Sequence, residues 1–117
     1  MTNIDPFQIP NALMELADDV QNFRVRFGTQ LTVNQRRTLN TRENALRGVS
    51  VSLSALITHD AIDRITEPLA QLGEAIDEAD EFLMAVESLR QALGTIARVL
   101  NLASSIITLM TPVTPVG

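Results

Sequence analysis

The sequence contains no cysteine, lysine, tyrosine or tryptophan, and its only histidine is His59. Without cysteine, the chain forms neither disulfides nor thiolate metal sites. Without tyrosine and tryptophan, it lacks the largest rings on which nucleic-acid bases stack. Phosphate neutralisation also needs a clustered positive surface, whereas this chain has a net charge of −5. We therefore expect no nucleic-acid partner.

The single histidine argues against catalysis. His59 lies between Thr58 and Asp60 in a predicted turn, where such residues commonly cap a helix instead of forming a nucleophile and a general base. There is no glycine-rich phosphate cradle either. We expect a non-enzymatic protein without a cofactor.

Four carboxylates fall at positions i, i+3, i+4 and i+7 of a predicted helix, and these are Glu74, Asp77, Glu78 and Glu81. Such a face suits oxygen-ligand cations such as Mg²⁺ or Ca²⁺. Di-iron bundles instead need Glu-x-x-His pairs from facing helices, and His59 is distant in sequence. We expect no metal here, and interpret the acids as a solvated or internally paired face.

The size of the chain predicts one domain over residues 1–117, since a 12.8 kDa chain can bury one hydrophobic core without disulfides or structural metals. Residues 1–10 contain two prolines and are predicted to be an irregular lead-in, and residues 112–117 an extended tail. The amino terminus has neither the basic nor the apolar region of a signal peptide. A cytoplasmic location is the expectation.

Apolar residues recur at steps of three and four along most of the chain, which is typical of amphipathic helices. The spacing predicts helices over about 11–27, 33–39, 42–57, 61–79 and 82–110, with Thr32 and Gln35 forming a capping box. Pro68 is expected to kink its helix. A break is predicted near 77–81, and one kinked helix of about fifty residues is the alternative. The predicted fold is an all-α antiparallel bundle of about four main helices, with a long, apolar carboxy-terminal helix.

Residues 31–39 read Leu-Thr-Val-Asn-Gln-Arg-Arg-Thr-Leu. This segment, followed by a turn, a helix and a proline-containing helix, resembles an uncharacterised bacterial helical-bundle family with the motif L-[ST]-P-x-x-R-R-x-L. Val33 stands where the family has proline. The resemblance implies an all-α bundle and no assigned activity.

The charges are arranged in blocks along the chain. Residues 1–19 sum to −4, 20–59 to +5 and 60–81 to −7. A hairpin folded around residues 58–60 would lay the basic block along the acidic block. We therefore predict electrostatic pairing that sets the register of the two helices, with the participants Arg36, Arg37, Arg42, Arg47, Glu74, Asp77, Glu78 and Glu81.

The carboxy-terminal helix carries no charge after Arg98. Its predicted length exceeds that of the helix before it, so residues from about 100 onward would overhang and need cover. The predicted interface is Leu100, Ala103, Ile106, Ile107, Leu109 and Met110. Three alternatives remain for what buries this apolar surface. They are the chain's own first helix, a second copy or another helical protein, and a membrane entered by residues 92–111.

Overall fold

The computed structural model describes residues 5–58 and 62–110. Within these ranges all regular structure is helical, which confirms the predicted all-α class. The α-helices are α1 Ile9–Arg26, α2 Val33–Leu56, α3 Ile62–Phe82 and α4 Leu89–Met110. Short 3₁₀ helices, η1 Pro6–Gln8, η2 Gly28–Gln30 and η3 Val86–Ser88, flank or connect them. The predicted tail, residues 112–117, lies outside the described residues.

The first helix begins earlier than the proline pattern indicated. The predicted lead-in overlaps η1 and the start of α1, because Pro10 lies in the first turn of α1, where a backbone amide needs no helical partner.

The second helix is continuous where two were predicted, because Thr41 does not end the first one. The Thr41 hydroxyl instead donates to the Arg37 carbonyl oxygen at 3.0 Å, within the helix.

The predicted capping box at the start of α2 is confirmed. Thr32 Oγ1 accepts from the Gln35 amide at 3.1 Å, and Gln35 Oε1 accepts from the Thr32 amide at 2.8 Å.

The third and fourth helices are separate, so the alternative of one kinked helix is wrong. The break follows Phe82, later than the predicted 77–81, and α4 begins only at Leu89. As a result α3 has 21 residues and α4 has 22, about 32 and 33 Å of helix. The length argument for an overhang beyond residue 100 is therefore wrong.

The helices form a bundle in which α1 packs against α2 and α3, and α4 packs against α3 and α2. This order places α2 and α3 on a diagonal. Helix α1 runs antiparallel to α2, since Arg24 contacts Glu43 while the Pro10 carbonyl accepts from the Ser50 hydroxyl. Helices α3 and α4 are also antiparallel, since a six-residue connection joins them and they pack against each other, with Glu78 near the end of α3 paired to Arg98. The diagonal pairs are therefore α2–α3 and α1–α4.

One apolar cluster fills the bundle and draws on all four helices. Its completely enclosed side chains recur at helical spacing, which is the physical origin of the amphipathic pattern in the sequence. The largest of them are Ile9, Leu13, Leu16, Leu39, Leu46, Leu53, Ile65, Leu69, Leu72, Ile76 and Ile96.

Candidate functional site

The predicted pairing of the basic and acidic blocks is wrong. Among the described residues, no ion pair joins Arg36, Arg37, Arg42 or Arg47 to Glu74, Asp77, Glu78 or Glu81. The physical reason is the diagonal placement of α2 and α3, which keeps the two blocks on helices that are not packed neighbours.

Two of the predicted participants pair elsewhere. Arg47 Nη2 donates to Asp18 Oδ1 of α1 at 2.9 Å and to Glu43 Oε2 of its own helix at 3.2 Å. Glu78 Oε2 lies 3.5 Å from Arg98 Nη1 of α4, in an exposed pair. Hydrogen bonds to Asp18, and then to Glu43, raise the pKa of Arg47 above its ordinary value.

Glu43 is the electrostatic centre that the sequence prediction missed. Its side chain is only 9% exposed and accepts from Arg24 Nη2 at 3.1 Å and from Arg47. Arg24 also donates to Asn40 Oδ1 at 2.6 Å. The sequence contained one sign of this role, because Glu43 is the only acidic residue in the basic block, residues 20–59. These contacts fix the register of α1 on α2.

The predicted interface on α4 divides into inner and outer residues. Ala103 and Ile106 are buried in the bundle's own core, with 0% and 2% exposure, so these two assignments are wrong. Leu109 is 64% exposed. Leu100, Ile107 and Met110 are half-buried at the margin of the core.

A second stripe on α4 lies beside the buried one. It follows steps of four and three residues and alternates large with small side chains: Leu93, Ala97, Leu100, Ser104 and Ile107. Each member is half-buried or exposed. Because Arg98 pairs with Glu78 of α3, the stripe lies on the flank of α4 directed away from α3.

Helix α2 carries a matching flank beside the stripe. Arg47 and Ser50 bond to α1. On the flank turned away from α1, Arg42 is followed at helical spacing by Ala45, Val49, Ser52 and Leu56. These four side chains are half-buried or exposed. Together with the α4 stripe they form what we call the uncharged face. Since α2 and α4 pack side by side, the face spans both helices, and Arg42 and Arg90 occupy the preceding helical positions at its border.

Among the described residues, one helical stretch meets the length and composition criteria for crossing a membrane. It comprises η3 and α4, Val86–Met110, and its most apolar 18-residue window has a mean hydropathy of 1.5. The inner side of α4 nevertheless supplies core residues such as Ile96 and Val99.

The interface of α1 with α3 is acidic. Asp80 of α3 faces Asp19 of α1, with Asp77 and Glu15 nearby. Burial raises the pKa of Asp80 to about 8, reinforced by hydrogen bonding to Asp19 and by the charges of Asp19, Asp77 and Glu15. One oxygen each of Asp77 and Asp80 is enclosed without a hydrogen-bond partner. Of these residues, sequence analysis singled out only Asp77.

Two cavities adjoin Asp80. One of about 250 Å³ extends towards Gln8, Asn11 and Glu15, and one of about 210 Å³ extends towards Asn22 and Arg26. In the part of the chain that the structure describes, no three carboxylate, imidazole or thiolate groups are placed to hold a metal ion.

No family model, curated protein or solved structure significantly matches the chain. The resemblance of residues 31–39 to the L-[ST]-P-x-x-R-R-x-L family therefore stays a prediction.

Proposed function

We propose that this protein is a non-catalytic interaction protein that associates with a second copy of itself through the uncharged face. The observation that carries the proposal is a set of nine uncharged, half-buried or exposed side chains on two packed helices, bordered by Arg42 and Arg90, in a chain with 20% charged residues. Charged residues are depleted at the centres of protein interfaces, and such a surface needs no charge-complementary partner. A cytoplasmic location is part of the same proposal.

The side-chain sizes on the face support helix-to-helix contact. Ala97 and Ser104 alternate with Leu93, Leu100 and Ile107, so small residues admit a close approach while large ones supply contact area. A two-fold axis would place α4 of each copy against the uncharged face of the other, which makes the contact closed and self-complementary. Of the predicted interface, Leu100 and Ile107 belong to this contact.

Adjacent serines on α4 provide a matched test of self-association. Ser104 lies on the stripe, whereas Ser105 points to another side of the helix, and both are exposed. Ser104→Glu places a charge inside the proposed contact, and burying an unpaired charge costs about 2 kcal/mol or more. We expect sedimentation equilibrium to show a dimer for the natural chain and at least about 30-fold weaker association for Ser104→Glu.

The control is Ser105→Glu, which has the same net charge and the same helical context. It should associate like the natural chain, and both variants should keep its helical circular dichroism. A natural chain that sediments as a monomer would contradict the proposal, as would equal weakening by the two substitutions.

Membrane insertion by residues 92–111 is the second candidate function, favoured by the apolar stretch Val86–Met110. Insertion would have to expose core residues of α4, such as Ile96, to lipid. This candidate predicts that the protein co-floats with liposomes and that Ile96 becomes accessible to lipid-phase quenchers when replaced by a labelled cysteine. Protein that stays at the bottom of the gradient with both neutral and anionic liposomes contradicts insertion.

A further inference from the structure

The contact between α1 and α3 contains two carboxyl groups that face each other, Asp19 and Asp80. An ionised carboxylate only accepts hydrogen bonds. Asp80 Oδ1 is enclosed, and no N–H or O–H group of the described residues donates to it. A proton held on one of the two carboxyl groups supplies the missing donor.

The surroundings make the doubly ionised state unfavourable. From α1, Glu15 and Asp19 act on Asp80, and Asp77 adds a third negative group from α3 itself. Arg26 of α1, which lines the 210 Å³ cavity together with Asp80, is the positive group on this side. Helix η1 contributes Gln8 to the other cavity, and no described residue of α4 lines either one.

We propose that Asp19 and Asp80 share one proton, that this proton holds α1 against α3, and that mildly alkaline pH loosens the contact by removing it. Asp80 lines both cavities, although its Oδ1 atom is enclosed. The proposal concerns the α1–α3 side of the molecule and does not depend on the uncharged face.

The direction in which stability changes with pH follows from the raised pKa of Asp80. Its pKa is raised from an ordinary value of 3.8 to about 8 in the folded protein. Between these values the folded state binds more protons than the unfolded chain, so this group's contribution to stability falls as pH rises through that window. The stabilising contribution of Asp80 is fully present below about pH 4 and is lost once the pH rises past about 8.

The decisive variant is Asp80→Asn, whose amide donates to Asp19 at every pH. We expect the melting temperature of the natural chain to fall by about 5 °C more than that of Asp80→Asn between pH 6 and pH 9. At pH 9 the variant should be the more stable protein. Glu81→Gln removes one charge from the neighbouring exposed position and should keep the natural pH dependence.

Two direct measurements test the sharing of the proton. Carbon-13 chemical shifts of the aspartate carboxyl groups should show one group of the Asp19–Asp80 pair titrating above pH 7, and Asp19→Asn should move that titration to lower pH. Amide hydrogen exchange, corrected for its intrinsic pH dependence, should accelerate in α1 ahead of α2 as the pH rises. All samples contain a chelator, so that bound cations do not contribute.

Two results would overturn the proposal. One is that both carboxyl groups titrate near pH 4 in the natural chain. The other is that Asp80→Asn and the natural chain have the same pH dependence of melting. If Asp80→Asn does not fold, the carbon-13 titration of the natural chain decides the question alone.

Discussion

Replacing Ile106 by alanine is expected to lower the free energy of unfolding by about 3 kcal/mol. The side chain is only 2% exposed and belongs to the continuous core cluster. Truncation removes three buried carbon atoms and leaves a cavity that the surrounding helices fill only in part. Urea denaturation followed by circular dichroism measures the loss as a lower midpoint with an unchanged slope.

The matched substitution is Leu109→Ala, one turn further along α4. Leu109 is 64% exposed, so its truncation should change the free energy of unfolding by no more than about 0.5 kcal/mol. Equal losses for the two variants would show that the inward side of α4 is not the side assigned here.

The misassignment of Ala103 and Ile106 has a physical cause in α4 itself. The helix carries two apolar stripes, one through Leu89, Ile96 and Ala103 and one through Leu93, Leu100 and Ile107. Both satisfy a step of seven residues, so periodicity alone does not decide which one faces the core. The late start of α4 at Leu89 also removed the overhang that had directed Ile106 outward.

Local features were predictable because they depend on residues close in sequence. The capping box of Thr32 and Gln35 and the separation of α3 from α4 are examples. Which helices pack against each other was not predictable from local features. The short connection between α2 and α3 suggested that these two helices form a hairpin of packed neighbours. The observed bundle places them diagonally, and every predicted pairing between the two charge blocks failed for that one reason.

The pair Asp19 and Asp80 was also not predictable from local sequence patterns. Neither belongs to a motif, and 60 positions separate them in the chain. They meet because α1 and α3 are packed neighbours, which no local spacing reveals. Packing also separates the carboxylates, since the α1–α3 contact collects several of them while the uncharged face on α2 and α4 has none.

The buried Glu43 carries the second large prediction. Replacing it by glutamine preserves its shape but removes the negative charge that lies between Arg24 and Arg47. Breaking a fully buried ion pair costs about 3–5 kcal/mol. Both guanidinium groups remain partly exposed, and Arg24 keeps Asn40 while Arg47 keeps Asp18. We therefore expect a loss of about 2 kcal/mol in unfolding free energy, measured by urea denaturation.

Glu78→Gln is the control for this prediction, because the pair of Glu78 with Arg98 is exposed and its atoms are 3.5 Å apart. Its removal should cost no more than about 0.5 kcal/mol. Substituting Arg24 by glutamine together with Glu43 should cost less than the sum of the single substitutions, because the paired charge is already gone. Additive losses would mean that Glu43 and Arg24 do not act as a pair, which would leave Arg47 as the charged partner of Glu43.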